Sequence, residues 1–339
     1  MLKHFPRLRR RIANTPAVKI DRPLQIAVIG LGNQGQEHVQ ALEQTTLPVR
    51  LAAVVDPRGW PEGSTPRPAL PLYASVEALP KAIHAVIVAI PPVFYRQVVP
   101  TLLEAGKHVL LEKPVGISLA EALELATLAQ RCRCALIPTR QRRFHPAYKL
   151  TPEWKEKTGT FIEADIRLAI RHEGEGWRSS RETAGGGALF DLGFHAIDLA
   201  QQMFGDLKLR SACFFDREDF PEHSGMDFKA DLLLETETFL PVRVRVERGA
   251  PEKQERVRFR GSLGTVKTSR QSLSFTDNAG HRVETVFNPD WTVAMQSQMA
   301  EWLDHIDLCE AGSRAAWDPL WTGVSTMKLM EEAYAHGRF

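Results

Sequence analysis

"LQIAVIGLGNQG", residues 24–35, decides the fold. Ile26 to Ile29 form a short apolar run rich in β-branched side chains, the pattern of a strand buried in a parallel sheet. Gly30, Gly32 and Gly35 then spell G-x-G-x-x-G, and "QEHVQALEQ" continues as a helix. A glycine triplet is weak alone; a strand before it and a helix after it give it meaning. Gly30 permits a tight turn, Gly32 lets a pyrophosphate approach the backbone, and Gly35 lets the helix pack on the strand. The phosphates would rest on free amides at the helix start, around Asn33 and Gln34.

The next strand, "RLAAVVD", ends at Asp56, 21 residues beyond Gly35. An acid at that distance suits the ribose hydroxyls of a dinucleotide and repels a 2′-phosphate, so NAD is favoured and NADP not excluded. Arg58 softens that preference. A second reading makes Asp56 a turn initiator before Pro57. Six prolines between Pro57 and Pro80 forbid a long crossover helix there. "HAVIVAIPP" resumes as a strand ending in the loop Ile90–Pro91–Pro92. A helix, a strand "HVLLEKP" and a further strand "CALIPT" follow. Strands alternating with helices predict a doubly wound parallel sheet, whose ligands bind at the carboxyl ends of the strands. Glu112 and Lys113 sit at one such end. The Lys113–Pro114 bond is a candidate cis peptide.

From about residue 151 the periodicity changes. "TFIEADIRLAI", "LKLRSACFF", "DFKADLLLE", "PVRVRVERG", "ERVRFRGS", "GTVKTS" and "SLSFTD" read as short strands of period two, forming a large, mostly antiparallel open-faced sheet with one wet face. Between the first two lies "GGGALFDLGFHAID", residues 185–198. Its spacing predicts a helix with Asp191, His195 and Asp198 on one face. The glycines are expected to leave room for substrate and nicotinamide. Two helices, about 291–311 and 317–337, close the chain. The expected organisation is a basic arm at 1–23, a dinucleotide-binding domain at 24–145 and a second α/β domain at 146–339. The last helix is expected to pack back on the first domain.

The chain has 339 residues, 43% hydrophobic and 25% charged, ordinary for a soluble enzyme. Its net charge of +2 does not demand nucleic acid. The arm carries seven Lys/Arg against one Asp and reads as a solvated tail. No stretch of about 18 apolar residues suggests a membrane span. Cys132, Cys134, Cys213 and Cys309 lack zinc spacing, so no metal is expected, and they read as reduced thiols in a cytoplasmic protein. The sheet's arginines lack the interleaved aromatics of a base-stacking platform.

In this order, "AVIGLGNQG", "AIPP", "EKP" at 112–114, "RRFHPAY" at 142–148 and "GGGALFDLGFHAID" resemble the Gfo/Idh/MocA oxidoreductase family. "ERVRFRGSLGTVKTS" and "AEWLDHI" fit as well, and the resemblance spans about residues 24–337. It implies a nicotinamide cofactor and hydride transfer at a CH–OH carbon of a sugar or cyclitol. It carries the family's catalytic lysine, aspartate and histidine onto Lys113, Asp191 and His195. It also implies a homodimer or homotetramer through the sheet face.

Two departures stand out. Many members have a histidine after the diproline loop, where this chain offers Tyr95, and the proline-rich 57–71 replaces a helix. Further substrate candidates are Arg142, Arg171, Trp177 and Arg178; arginines facing the pocket would mean an anionic substrate. Competing readings are a non-catalytic dinucleotide-sensing regulator, which should tolerate loss of Lys113, and an imine reductase of the same fold.

Overall fold

The computed structural model describes residues 23–63, 70–172, 176–216 and 226–338. The basic arm falls outside them apart from Pro23, as do residues 64–69 of the proline-rich stretch.

The first half is a six-stranded parallel sheet. Its strands are β1 (Leu24–Ile29), β2 (Val49–Val55), β3 (Leu72–Tyr73), β4 (Ala85–Val88), β5 (His108–Leu111) and β6 (Leu136–Pro138). Their order is β3-β2-β1-β4-β5-β6, the doubly wound dinucleotide-binding arrangement. β1, β4 and β5 are buried along almost their whole length, as strands covered on both faces must be. Helices α1 (Asn33–Glu43), α2 (Tyr95–Glu104) and α3 (Leu119–Arg131) make the crossovers. Among the described residues, the β2–β4 connection holds the two-residue β3 and one turn of 3₁₀ helix at Val76–Ala78.

Short helices α4 (Gln141–Phe144) and α5 (Pro146–Lys155) lead into the second half, where the one-turn helix α6 (Arg181–Ala184) precedes the glycine run. Its eight strands are β7 (Phe161–Ala169), β8 (Leu207–Phe215), β9 (Lys229–Thr236), β10 (Pro241–Glu247), β11 (Gln254–Gly261), β12 (Gly264–Thr268), β13 (Ser272–Asp277) and β14 (Arg282–Val286). The order is β14-β13-β12-β11-β7-β10-β9-β8. Every pairing is antiparallel except β7 with β10. β14 was not foreseen: its residues are exposed throughout, so the alternation that marks a half-buried strand is missing.

One sheet face is covered. Val242, Val244, Val246, Val257 and Phe259 are buried there, and α5 and α7 (Phe194–Phe204) pack against it. The opposite face carries cross-strand ion pairs, Arg245 and Arg256 to Asp165 and Arg258 and Arg260 to Glu163.

Helices α8 (Thr292–Glu310) and α9 (Asp318–His336) close the chain within two residues of the expected bounds. α9 packs against α3, β6 and β8, tying the two sheets together. Trp317, just before α9, donates its indole N–H to the Cys134 carbonyl at 2.9 Å. Gly323 lies so close to Pro138 and Val115 that a Cβ would collide with both. Among the described residues no helix is long and apolar enough to cross a membrane.

Candidate active site

The glycine loop is built as its spacing demands. Gly30 sits at φ +90°, and a Cβ there would strike the Ala89 carbonyl and Ile90. A Cβ on Gly35 would strike the Gly30 carbonyl, so helix and strand touch at that point. Gly32 differs: a Cβ there would meet nothing within 4 Å. No side chain caps the start of α1, so its first amides, at Asn33 and Gln34, remain donors. Open space beside uncapped amides fits a pyrophosphate.

Asp56 closes the loop from β2. Its Oδ2 accepts from the Leu31 N–H and its Oδ1 from the Arg58 N–H, both at 2.9 Å. The turn reading is met: Asp56 caps its own turn, and it also braces the glycine loop. Burial alone would raise its pKa, but these hydrogen bonds and Arg58 hold it below the ordinary value. Ile90 and Pro91 are half-buried at the end of β4, and Pro92 is buried.

At the end of β5, Glu112 is a hub. It accepts from Thr139 Oγ1 at 2.8 Å, pairs with His38 Nε2 at 2.8 Å and receives the Lys113 N–H at 3.3 Å. Burial would raise its pKa, and His38, Thr139 and Lys113 bring it below the usual carboxylate value. His38 and Thr139 were missed in the sequence. His38 lies on the buried α1 face with Gly35, Val39 and Leu42, where a polar residue was a readable signal. Thr139 directly follows β6, beside β5 in register.

The Lys113–Pro114 bond is cis. Lys113 Nζ donates to the Asp191 carbonyl at 2.7 Å and to its Oδ1 at 3.1 Å. Asp191 does not stand on an ordinary α-helix. Leu189–Gly193 is a π-helical turn, and α7 begins at Phe194. The Asp191–His195 spacing therefore spans a widened turn, a feature that clusters at functional sites.

The aspartate's other oxygen, Oδ2, faces Arg248 Nη2 at 3.4 Å and Arg178 Nε at 3.8 Å. Burial alone would raise the Asp191 pKa; Lys113, Arg248 and Arg178 outweigh it and hold the carboxyl well below the carboxylate range. Burial lowers the Lys113 pKa, and Asp191 offsets this only in part. His195 is buried, and burial, then Arg142 and Lys113, push its pKa well below 6.5. This favours the neutral imidazole, which can accept a proton.

Several expected residues lie elsewhere. Tyr95 is fully buried on the inner side of α2, where its hydroxyl donates to the Glu112 carbonyl at 2.7 Å; it is not exposed to a ligand. Asp198 accepts Arg143 Nε at 2.7 Å and anchors α4. Arg142 stays close enough to bear on His195, but its guanidinium is engaged, donating to Glu255 at 2.7 Å and lying over Trp291. Arg171 is exposed and makes no contact with the site among the described residues. Arg178 stacks on Trp177, 4.2 Å from the ring centre, so that pair borders the site.

The glycine run also serves another purpose than expected. Gly185 is left-handed at φ +82° and faces the Phe190 ring; Gly186 faces the Tyr334 hydroxyl. Gly187 faces the Asp227 backbone. They make room for protein, not for substrate. Asp227, unnoticed in the sequence, clamps the turn by accepting from the Gly187 and Leu189 N–H groups and the Tyr334 hydroxyl.

Two sequence models decide the kinship. Residues 24–139 match the oxidoreductase family with the NAD-binding Rossmann fold, and residues 157–267 match the GFO/IDH/MocA C-terminal domain. The chain belongs to the GFO/IDH/MocA oxidoreductase family.

A family member from Amycolatopsis mediterranei, provisionally named as the oxidoreductase subunit of a UDP-kanosamine synthase, is 30% identical over 204 residues, covering 58% of this chain and 56% of that protein. Inositol 2-dehydrogenase of Corynebacterium glutamicum is 26% identical over 134 residues, covering 38% and 40%. The chain thus spans about half or less of the curated relatives it matches.

Among solved structures, a 3-ketoreductase from Actinomadura kijaniata with NADP and TDP-benzene superimposes with TM-score 0.78 at 19% identity, over 94% of this chain and 98% of that one. An inositol dehydrogenase homologue from Azotobacter vinelandii with NAD+ gives 0.77 at 19%, over 94% and 96%. At such identities the likeness is one of fold. The GFO/IDH/MocA assignment makes the first sheet an NAD(P)-binding Rossmann domain. Among the described residues no group of three or more His, Cys, Asp or Glu is placed to hold a metal.

Proposed function

We propose that this oxidoreductase transfers hydride between a nicotinamide dinucleotide and a CH–OH carbon of a sugar, a cyclitol or a derivative of one. The Lys113–Asp191 ion pair carries this reading: it joins the end of a Rossmann strand to the π-turn of the second sheet's helix. The cofactor, when bound, supplies the hydride acceptor or donor. Gly30, Gly32, Asn33, Gln34 and Gly35 would hold its pyrophosphate and Asp56 its ribose, with Ile90, Pro91, Pro92 and Glu112 lining the nicotinamide side. An ionised Asp56 opposes a 2′-phosphate, so NAD is the favoured form.

His195, neutral and buried, takes the hydroxyl proton during oxidation and returns it during reduction. Lys113 hydrogen-bonds the same oxygen and stabilises the charge that develops there. Asp191 stays ionised and fixes the Lys113 ammonium. A non-catalytic sensor would have no need of this pair. We further place the protein in the cytoplasm as a homodimer or homotetramer through the uncovered sheet face, where Phe215 is exposed beside charged ladders. The dividing line between cofactor and substrate domains falls near residue 145.

The test is a thermal-shift screen with NAD(H) and NADP(H), followed by a sugar and cyclitol panel read by nicotinamide absorbance. Stabilisation by NAD(H) and turnover of at least one polyol is the expected result. Absence of nucleotide binding sinks the reading.

A further inference from the structure

The proposal rests on the reading of Lys113 as the residue at the reacting oxygen. Three cations converge on one carboxylate: Lys113 on Oδ1 of Asp191, and Arg248 and Arg178 on Oδ2. Only Lys113 makes a hydrogen bond to it, at Oδ1. Oδ2 of Asp191 and the Nε atoms of Arg178 and Arg248 are buried and find no hydrogen-bond partner among the described residues. A buried guanidinium donor without an acceptor is costly, so a well-made ion pair would normally use it.

The other nearby acids do not fill the gap. Glu112, behind Lys113, is engaged by His38 and Thr139. Asp227 already accepts three donors, so its oxygens are engaged. Glu255 is shared between Arg142 and Arg270. An oxidised nicotinamide ring is itself cationic and brings no negative charge.

We propose that Arg178 and Arg248 form an oxyanion subsite, and that the substrate is a polyol bearing a carboxylate or phosphate group close to its reacting hydroxyl. Arg248, with 3% of its side chain exposed, forms the floor; Arg178, at 33%, forms the mouth. A planar guanidinium suits a two-oxygen anion. The breadth of one carboxylate separates these arginines from the lysine, so the anionic group and the reacting oxygen lie only a few bonds apart. A nucleoside diphosphate, whose charge lies far from the sugar ring's reacting carbon, fits this geometry less well. Of the arginines flanking Arg171 and Arg178 in sequence, Arg167 pairs with Glu247 on the uncovered sheet face and Arg181 lies over Tyr334, so neither is available.

The experiment is calorimetric binding to the full chain saturated with NADH. The probes are hexuronates and aldonates, the matching neutral hexoses, and hexose phosphates as a third arm. We expect at least one anionic probe to bind about tenfold or more tighter than its neutral partner. That preference should vanish in Arg178→Gln and in Arg248→Gln. Arg248→Lys, which keeps the buried charge, serves if the glutamine variant fails to fold, and should lose part of the preference. Preference for carboxylates or for phosphates identifies the anion's source. Equal binding of neutral and anionic probes, or a preference unchanged in both arginine variants, overturns the subsite. NADH binding is measured separately. If it is absent while anions bind through the arginines, the oxidoreductase reading fails and the subsite stands.

Discussion

Lys113 holds Asp191 by two atoms at once: its ammonium donates to the main-chain carbonyl at 2.7 Å and to Oδ1 at 3.1 Å. The two residues are 78 positions apart and belong to different sheets' machinery. The double contact fixes the ammonium in space, and the π-turn supplies the carbonyl. Replacing Lys113 by Met keeps the apolar stem and removes the donor. The expected loss in kcat/KM is about 100-fold or more, the usual consequence of losing one donor to a developing oxyanion. Arg178 and Arg248 still face Asp191 in the variant, so it should fold and bind NADH within a few-fold of the parent. Steady-state kinetics with a substrate from the panel decides; activity within threefold removes Lys113 from the chemistry.

The pH profile follows from the same cluster. Burial, with Arg142 and Lys113, lowers the His195 pKa well below 6.5. A base with a lowered pKa is fully available above the ordinary value and is lost only as pH falls through the lowered one. The acid limb of kcat/KM for oxidation should therefore lie well below pH 6.5. Lys113 is also lowered, by burial, from 10.5, so its limb should fall below that on the alkaline side. A bell with its acid midpoint at or above 6.5 contradicts a buried neutral histidine. His195→Gln should remove the acid limb along with most of the activity.

Gly32 and Gly35 separate nucleotide binding from folding. A Cβ on Gly35 collides with the Gly30 carbonyl, which is backbone and cannot move aside. Gly35→Ala should lower stability by about 1–3 kcal/mol, as overpacking does. A Cβ on Gly32 meets no protein atom within 4 Å. Gly32→Ala should leave melting unchanged in the absence of nucleotide and weaken NADH about tenfold, or ~1.4 kcal/mol. Fluorescence titration and thermal melting read the two effects separately; equal NADH affinity in Gly32→Ala would falsify the phosphate role.

What was legible in the chain was local. The glycine loop, the buried parallel strands and the alternation of Val242, Val244 and Val246 each depend on neighbours in sequence, and each appeared where the pattern placed it. The site's supporting residues were hidden because their partners are distant: His38 meets Glu112 across 74 positions, and Arg248 reaches Asp191 from beyond β10. The π-turn was hidden for another reason. Asp191 and His195 show ordinary helical spacing, and nothing in that spacing reveals a wider turn held by Asp227. Tyr95 was readable and misread. Tyr95, Val99, Leu102 and Leu103 recur at helical spacing and are all buried, the signature of a core face and not of a ligand-facing loop.

That correction has its own test. The Tyr95 hydroxyl donates to the Glu112 carbonyl in a buried setting. Tyr95→Phe keeps the ring and leaves that carbonyl short of a donor. Stability should fall by about 1–2 kcal/mol while KM for the substrate stays within a factor of two. A large KM change with unchanged melting would return Tyr95 to the substrate's surroundings.

Gly187 gives the sharpest check on why the glycines are there. If they clear space for substrate, an added methyl should raise KM and leave melting alone. The structure assigns the opposite. A Cβ at 187 runs into the Asp227 backbone, at the point where Asp227 binds the Gly187 and Leu189 amides and orders the turn that carries Asp191. The neighbour is main chain inside a hydrogen-bonded clamp, so relief requires moving the turn. Gly187→Ala should therefore cost about 2–3 kcal/mol of stability and lower kcat together with it, because the displaced turn no longer presents the Asp191 carbonyl to Lys113. NADH affinity should change little, since the glycine loop lies in the other sheet. Thermal melting with and without NADH, beside kcat and KM, distinguishes the two origins of the glycine run.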